Sequence, residues 1–268
     1  MIPAMPDQAQ ISALLRAAQD AGSRIMQDWQ REIVVIKKPD GSPVTLTDAA
    51  AERIITDILK DMSPLPIVAE EAMHEGPAPS IEGTPFWLVD ALDGTRDFIR
   101  GGKDFTVNIA LIDNGAPVFG IIHAPAHART WWAAKDQGAY RIIGHDTVRI
   151  QMRAMPEDGY HLLAGKQASQ PGVLSDYLGA YTVANTQPRA SALKFCLIAE
   201  GSADVYPRKG NTYEWDTAAG DIIVREAGGM VIDLETKKPI VYGKANSNFE
   251  NGGFIAGSRH AFKNITPA

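Results

Sequence analysis

Apolar residues recur along this chain with two periods. Between residues 7 and 29, Ile11, Leu14, Leu15, Ala18 and Ile25 share one face of a helix that opens after Pro6-Asp7. A second helical stretch covers roughly residues 47–62, with Ile54, Ile55, Ile58 and Leu59 on its buried side and Thr45 or Thr47 as its cap. Short apolar runs at Val34–Ile36, Leu65–Ala69, Phe86–Val89, Phe105–Ile112 and Val118–His123 read as strands, the last two joined by an Asp113-Asn114-Gly115 turn. Thr130–Ala133 and Ala139–Ile143 extend the antiparallel series. Beyond residue 146 the pattern predicts strands at His161–Ala164, Tyr181–Ala184, Ala203–Tyr206, Met230–Leu234 and Phe254–Ala256. It predicts helices at Gly172–Leu178, Ser191–Glu200 and Glu214–Ala227, the last halted by Gly228-Gly229. Residues 37–43 and 72–85 carry turn residues and read as loops. Helices alternating with mixed strands predict an α/β layered sandwich in two halves, 1–145 and 146–268, the first carrying most of the acids discussed below.

Composition narrows the class. With 268 residues, 45% hydrophobic and 22% charged, the chain has the make-up of a globular protein with a sizeable core. Its net charge of −6 argues against binding polymeric nucleic acid. The single cysteine, Cys196, excludes an internal disulfide and sits in the apolar run Phe195-Cys196-Leu197-Ile198, as a buried small hydrophobe would. No apolar run is long enough for a membrane span, and the N-terminus lacks the features of a signal peptide. The expected setting is the cytoplasm, with or without a peripheral association at the inner membrane face, as a monomer or homodimer.

Acids change the picture most. The run Trp87-Leu-Val-Asp-Ala-Leu-Asp-Gly-Thr95 ends a buried strand in two carboxylates, Asp90 and Asp93, followed by a glycine turn. Carboxylates so close repel unless a cation sits between them, and hard divalent cations take oxygen ligands. Leu65–Ala69 likewise runs into Glu70-Glu71, and Asp216 opens the helix near 214. Asp48 is a fifth acid, for which a place in the first helical turn is itself a sufficient structural reason. If these acids converge, Mg²⁺ suits the cage, and two ions about 3.5–4 Å apart would clamp an in-line phosphoryl displacement. Amides at Gly94 and Thr95 would hold phosphate oxygens. His123 and His127, flanking Pro125, lack the further ligands that zinc needs.

Other phosphate motifs fail on spacing. Asp90 and Asp93 are separated by two residues, not the one of haloacid-dehalogenase phosphatases; the acids do not alternate as in an EF-hand; and no Gly-rich Walker loop is present. The 87–95 segment, with Glu70-Glu71 upstream and Trp215-Asp216-Thr-Ala-Ala-Gly220 downstream, resembles the magnesium-dependent, lithium-sensitive phosphatase superfamily of inositol monophosphatase over nearly the whole chain. The resemblance implies an alternating α/β/α/β/α sandwich and two or three Mg²⁺ ions. It implies ligation by Glu70, Asp90, Asp93, Asp216 and the carbonyl of Leu92, and a water oriented by Thr95 paired with Asp48 or Glu70. Ala91 departs from the proline usual there, which supplies rigidity rather than a ligand.

Three further stretches, Asp104–Ile112, Ser191–Gly201 and Val205–Arg208, resemble the 3′(2′),5′-bisphosphate nucleotidase branch of that superfamily. This implies a small phosphate-ester substrate, adenosine 3′,5′-bisphosphate, bound by Gly94, Thr95, Asp216, Lys194 and Arg208, the two cations receiving its second phosphate or lining its nucleotide pocket. Ala192 replaces a usual serine, and Ala164-Gly165-Lys166 replaces a usual Ser-Arg or Ser-His, so an inositol or other polyol monophosphate is the alternative substrate. A non-catalytic binding protein of the same fold would be expected to lack some of the acids, and none is missing.

Overall fold

The computed structural model describes residues 5–31, 34–37, 43–154, 156–165, 182–210, 212–259 and 262. Helix α1 (Gln8–Asp28) starts at an Asp7 cap whose carboxylate takes the amide of Gln10 while the Gln10 side chain returns to the Asp7 amide. It buries Ile11, Leu14, Ala18, Ala21 and Ile25. The short strands β1 (Val35–Lys37) and β2 (Pro43–Thr45) pair antiparallel and lead into α2 (Leu46–Met62), capped by Thr45 rather than Thr47. Strand β3 (Ile67–Ala69) feeds directly into α3 (Glu70–Glu75), so Glu70 opens a helix that takes in the first residues of the loop expected at 72–85.

Strand β4 (Phe86–Asp93) runs through both aspartates instead of ending at Val89. The reason is its neighbour. After the brief α4 (Thr95–Ile99), β5 (Thr106–Asp113) returns antiparallel and pairs Asn108 with Asp90 and Thr106 with Asp93, leaving Ala91 and Leu92 in an irregularity between them. Strands β6 (Ala116–Ala124), β7 (Arg129–Ala134), β8 (Gly138–Ile143) and β9 (Asp146–Ile150) complete a seven-stranded sheet in the order β3 to β9, antiparallel except for β3–β4. The expected division at residue 145 falls inside the Gly144-His145 turn. Because that turn is only two residues long, β9 stays on the sheet of the first half, which extends to Ile150.

The second sheet contains β10 (Tyr160–Ala164) and β11 (Val183–Pro188), which pair in parallel. The predicted helix at Gly172–Leu178 lies outside the described residues. Helix α5 (Leu193–Ala199), strand β12 (Val205–Arg208), the two-residue β13 (Thr212–Tyr213) and α6 (Glu214–Glu226) follow. Strands β14 (Gly229–Asp233), β15 (Glu250–Asn251) and β16 (Phe254–Ser258) end the described fold, and the five-stranded sheet has the order β11-β10-β12-β16-β14.

Three apolar clusters define the layers. One joins α1 and α2 to the Trp87, Val89, Val107 and Ile109 face of the seven-stranded sheet. The largest joins the opposite face, through Leu88 and Ala110, to α5, α6 and the second sheet. The third, with Leu162, Val205 and Ile255, lies on the far side of the second sheet. Among the described residues the order is therefore helices, sheet, helices, sheet, in keeping with the alternating sandwich expected from the sequence. Helix α6 fits between the sheets because its early residues are small: a Cβ on Gly220 would lie 2.3 Å from the Phe195 ring. Cys196 is fully buried in the middle cluster, and burial pushes its thiol up, consistent with a packing role.

Candidate metal centre

Each acid reaches the site by its place at an element end. Glu70 is the first residue of α3, Asp90 and Asp93 end β4, and Asp216 lies in the first turn of α6. Carboxylate oxygens of Glu70, Asp90 and Asp216 lie within 4.8 Å of one another. Burial is the largest cause raising the Asp90 carboxyl well above the usual range, followed by repulsion from Glu70, Asp93 and Asp216. Asp216 is raised in the same way, by burial and then by Asp93 and Glu70. Such a set of oxygen donors, buried and mutually repelling, fits a divalent cation. No other group of three possible His, Cys or carboxylate ligands occurs among the described residues.

Asp93 faces the second half. Its Oδ2 accepts the Ala192 amide at 2.5 Å, and burial pushes its carboxyl up against the opposing charge of Lys194 and this amide bond. The turn that follows Asp93 is possible because Gly94 adopts φ +93°, where a Cβ would meet the Asp104 carbonyl oxygen at 2.7 Å. Thr95 then opens α4. Its single hydroxyl proton has two acceptors within reach, the Leu92 carbonyl at 3.0 Å and Asp48 Oδ1 at 3.2 Å. Of the two acids considered as its partner, Asp48 is the one bonded to it. Asp48 Oδ2 takes the amide and hydroxyl of Thr45, so one carboxylate both caps α2 and holds Thr95. Burial raises the Asp48 carboxyl despite those bonds to Thr45.

Lys194 is not a solvated helix lysine. It is 3% exposed; its Nζ donates to the Ser191 carbonyl at 2.5 Å and lies 4.7 Å above the Tyr206 ring. Burial lowers its pKa to about 8, with Asp93 acting to keep the charge. Lys194, Arg208, Asp93, Asp216, Tyr206 and Thr212 line one small cleft. A larger groove of about 830 Å³, between residues 79–84 and 242–247, contains none of these acids.

His123 and His127 stand apart from the acid cluster. His123 Nδ1 pairs with Thr130, and His127 Nε2 with Asp104. Lys166 lies outside the described residues. Residues that sequence reasoning missed are those that hold others. Glu52 accepts the amides of Glu71 and Ala72, fixing the start of α3 and with it Glu70. A visible signal was its place on the buried face of α2, one turn before Ile55. Asp104 takes His127, Arg189 and the Ala190 amide, tying the loop before Ser191 to the first half. Nothing in its local sequence marks it.

Known proteins resemble this chain over nearly its whole length. Residues 7–266 match the model of the inositol monophosphatase family. The 3′(2′),5′-bisphosphate nucleotidase CysQ of Escherichia coli (strain K12) is 38% identical over 250 residues, 91% of this chain and 98% of that protein. The crystal structure of CysQ from Bacteroides thetaiotaomicron superposes with a TM-score of 0.79 at 32% identity, covering 94% of this chain and 98% of that one. An inositol monophosphatase from Zymomonas mobilis follows at TM-score 0.73 and 28% identity, covering 94% of each chain. With the acid cluster, the layered fold and a family match spanning almost every residue in agreement, the chain belongs to the inositol monophosphatase family and is a phosphatase.

Proposed function

We propose that the protein is a Mg²⁺-dependent 3′(2′),5′-bisphosphate nucleotidase that hydrolyses the 3′-phosphate of adenosine 3′,5′-bisphosphate, giving AMP and phosphate. The observation that carries this reading is the buried Lys194 beside Arg208, in the cleft that also holds Asp93 and Asp216. A monophosphate of a neutral polyol has no second anion to meet two cations there, whereas a bisphosphate does. The names of the relatives support the same substrate class.

Glu70, Asp90, Asp93, Asp216 and the Leu92 carbonyl would hold the metal. Bound Mg²⁺ supplies a more acidic water and neutralises charge on the leaving oxygen. The chain's own contribution is orientation and proton transfer. When the Thr95 hydroxyl turns its proton to Asp48 Oδ1 and away from the Leu92 carbonyl, its oxygen lone pairs are free to accept a proton from the attacking water. As the water oxygen bonds to phosphorus and the P–O3′ bond breaks, the water proton passes through Thr95 to Asp48. The buried Asp48 carboxylate, with its raised proton affinity, is suited to receive it. The nucleoside 3′-oxygen leaves and takes a proton from solvent. Gly94 and Thr95, at the start of α4, offer backbone amides to the phosphate oxygens.

The test is phosphate release with Mg²⁺ from adenosine 3′,5′-bisphosphate, inositol 1-phosphate, histidinol phosphate and fructose 1,6-bisphosphate. The bisphosphonucleotide is expected to have the highest kcat/KM. Far better turnover of any other member overturns the substrate assignment.

A further inference from the structure

Directly beneath the acid cluster sit polar side chains that the protein leaves without partners. Asn108 is 1% exposed, and neither its Nδ2 nor its Oδ1 has a hydrogen-bond partner among the described residues. Thr106 Oγ1, on the same strand two residues earlier, is fully buried and equally unpaired. Buried polar atoms in this condition each cost on the order of 1–3 kcal/mol, so two adjacent unsatisfied residues in one strand call for a reason.

Their position supplies one. In the β4–β5 ladder Asn108 is the cross-strand partner of Asp90, and Thr106 that of Asp93. Directly opposed residues in an antiparallel pair project from the same face with neighbouring side chains. That face is the one covered by α6. The next β5 residue on it is Ala110, opposite Leu88 on β4 and Gly120 on β6, and a Cβ on Gly120 would meet Ala219 of α6 at 2.9 Å. One step toward the acid end of the sheet leads from Ala110 to Asn108 and, along the helix, from Ala219 back toward Asp216. Asn108 therefore occupies the floor between Asp90 and the turn that carries Asp216.

A carboxylate that ligates a cation with one oxygen needs a hydrogen-bond donor on the other to fix which oxygen faces the ion. Among the described residues Asp90 has one donor, the Leu92 amide at 3.0 Å on Oδ1. We propose that Asn108 is a positioning residue of the metal centre, its amide donating to the Asp90 carboxylate when the site is loaded, with Thr106 serving Asp93 in the same way. The inference rests on the metal-dependent reading above and goes beyond it, since Asn108 is neither a ligand nor a substrate contact. It explains why a polar pair is kept in a sheet core whose next residues on that face, Ala110 and Ile112, are apolar.

The proposal predicts opposite effects on two properties. Removing the unpaired amide in Asn108→Leu relieves a buried polar group in the metal-free fold but deprives the loaded centre of a donor. Thermal melting is measured in EDTA and across a Mg²⁺ titration, with no substrate present. Asn108→Leu is expected to melt in EDTA at or above the wild-type temperature, while the Mg²⁺ concentration giving half the thermal shift rises roughly tenfold to a hundredfold. A role in packing alone would lower the EDTA melting temperature and leave the Mg²⁺ midpoint unchanged, and that result overturns the proposal. If the leucine variant does not fold, Asn108→Ala decides: it melts lower in both conditions, but its Mg²⁺ midpoint must still move, and a wild-type midpoint rejects the idea. A wild-type protein whose melting ignores Mg²⁺ would overturn the metal reading itself together with this one, whereas a responsive wild type with an equally responsive variant rejects only the role of Asn108.

Discussion

Individual side chains here carry two duties at once, and their chemistry can be separated by small substitutions. Asp93 is a candidate ligand and also the acceptor of the Ala192 amide. Asp93→Asn keeps the acceptor oxygen and the shape while deleting one negative charge. It is expected to lower activity by at least about a hundredfold, the scale on which partners of metal ligands already act, with little change in melting temperature in EDTA. Steady-state rates at saturating Mg²⁺ check this, and near-normal turnover removes Asp93 from the ligand set. His123 offers a different test. Burial lowers its pKa from 6.5 to about 4. A histidine depressed in the fold binds its proton more readily when unfolded, so its contribution is intact above pH 6.5 and is lost as pH falls toward 4. Between pH 7.5 and 5 the loss is on the order of 2 kcal/mol. Denaturant melts of wild type and His123→Gln at both pH values are expected to show a smaller pH-dependent drop in the variant; equal drops would acquit His123.

At the level of elements, the centre is assembled from ends: the start of α3, the last residues of β4, the first turn of α6. The pieces come from distant parts of the chain, so small devices must hold them in register. One is the Asp104 junction between β5 and the loop leading to α5. Burial pushes this carboxyl up, but the His127 ring, the Ala190 amide and Arg189 hold it below the ordinary value. The loop so anchored places Ser191 at φ +54°, and the Ser191 carbonyl then receives Lys194. Non-glycine residues keep such a conformation only when their surroundings enforce it. Asp104→Ala is expected to raise KM for a bisphosphate substrate roughly tenfold, the equivalent of one lost buried charged contact, with a smaller change in kcat. If KM is untouched while stability falls, the junction serves folding alone.

For the whole molecule, the acid cluster is a standing repulsion inside an otherwise well-packed fold. A cation that binds the native arrangement and not the unfolded chain stabilises by mass action, about 2.7 kcal/mol at a hundredfold excess over its dissociation constant. For a chain of this size Mg²⁺ is expected to raise the melting temperature by roughly 5 °C or more, reversed by EDTA. Calorimetry with and without the ion measures it, and a melting temperature indifferent to Mg²⁺ would mean that the cluster does not bind the ion.

The periodicity of the chain was enough to determine the helices at Gln8–Asp28 and Leu46–Met62 to within a residue, the hairpin at Asp113-Asn114-Gly115, and the layered α/β class. It was enough because those elements follow from local apolar spacing and turn residues. Three of the candidate acids, Glu70, Asp90 and Asp216, were legible as a possible cluster, since carboxylates at element ends that meet are costly without a cation. What only the tertiary structure decided are relations between distant residues. Strand β4 continues to Asp93 because β5 offers it a ladder, Asp48 rather than Glu70 meets the Thr95 hydroxyl, and Lys194 is buried against Tyr206 although a helical lysine is usually solvated. Glu52 and Asp104 hold amides 19 or more residues away, and the role proposed for Asn108 depends on the strand beside it. Local sequence does not encode such partners, because only folding brings them within hydrogen-bond reach.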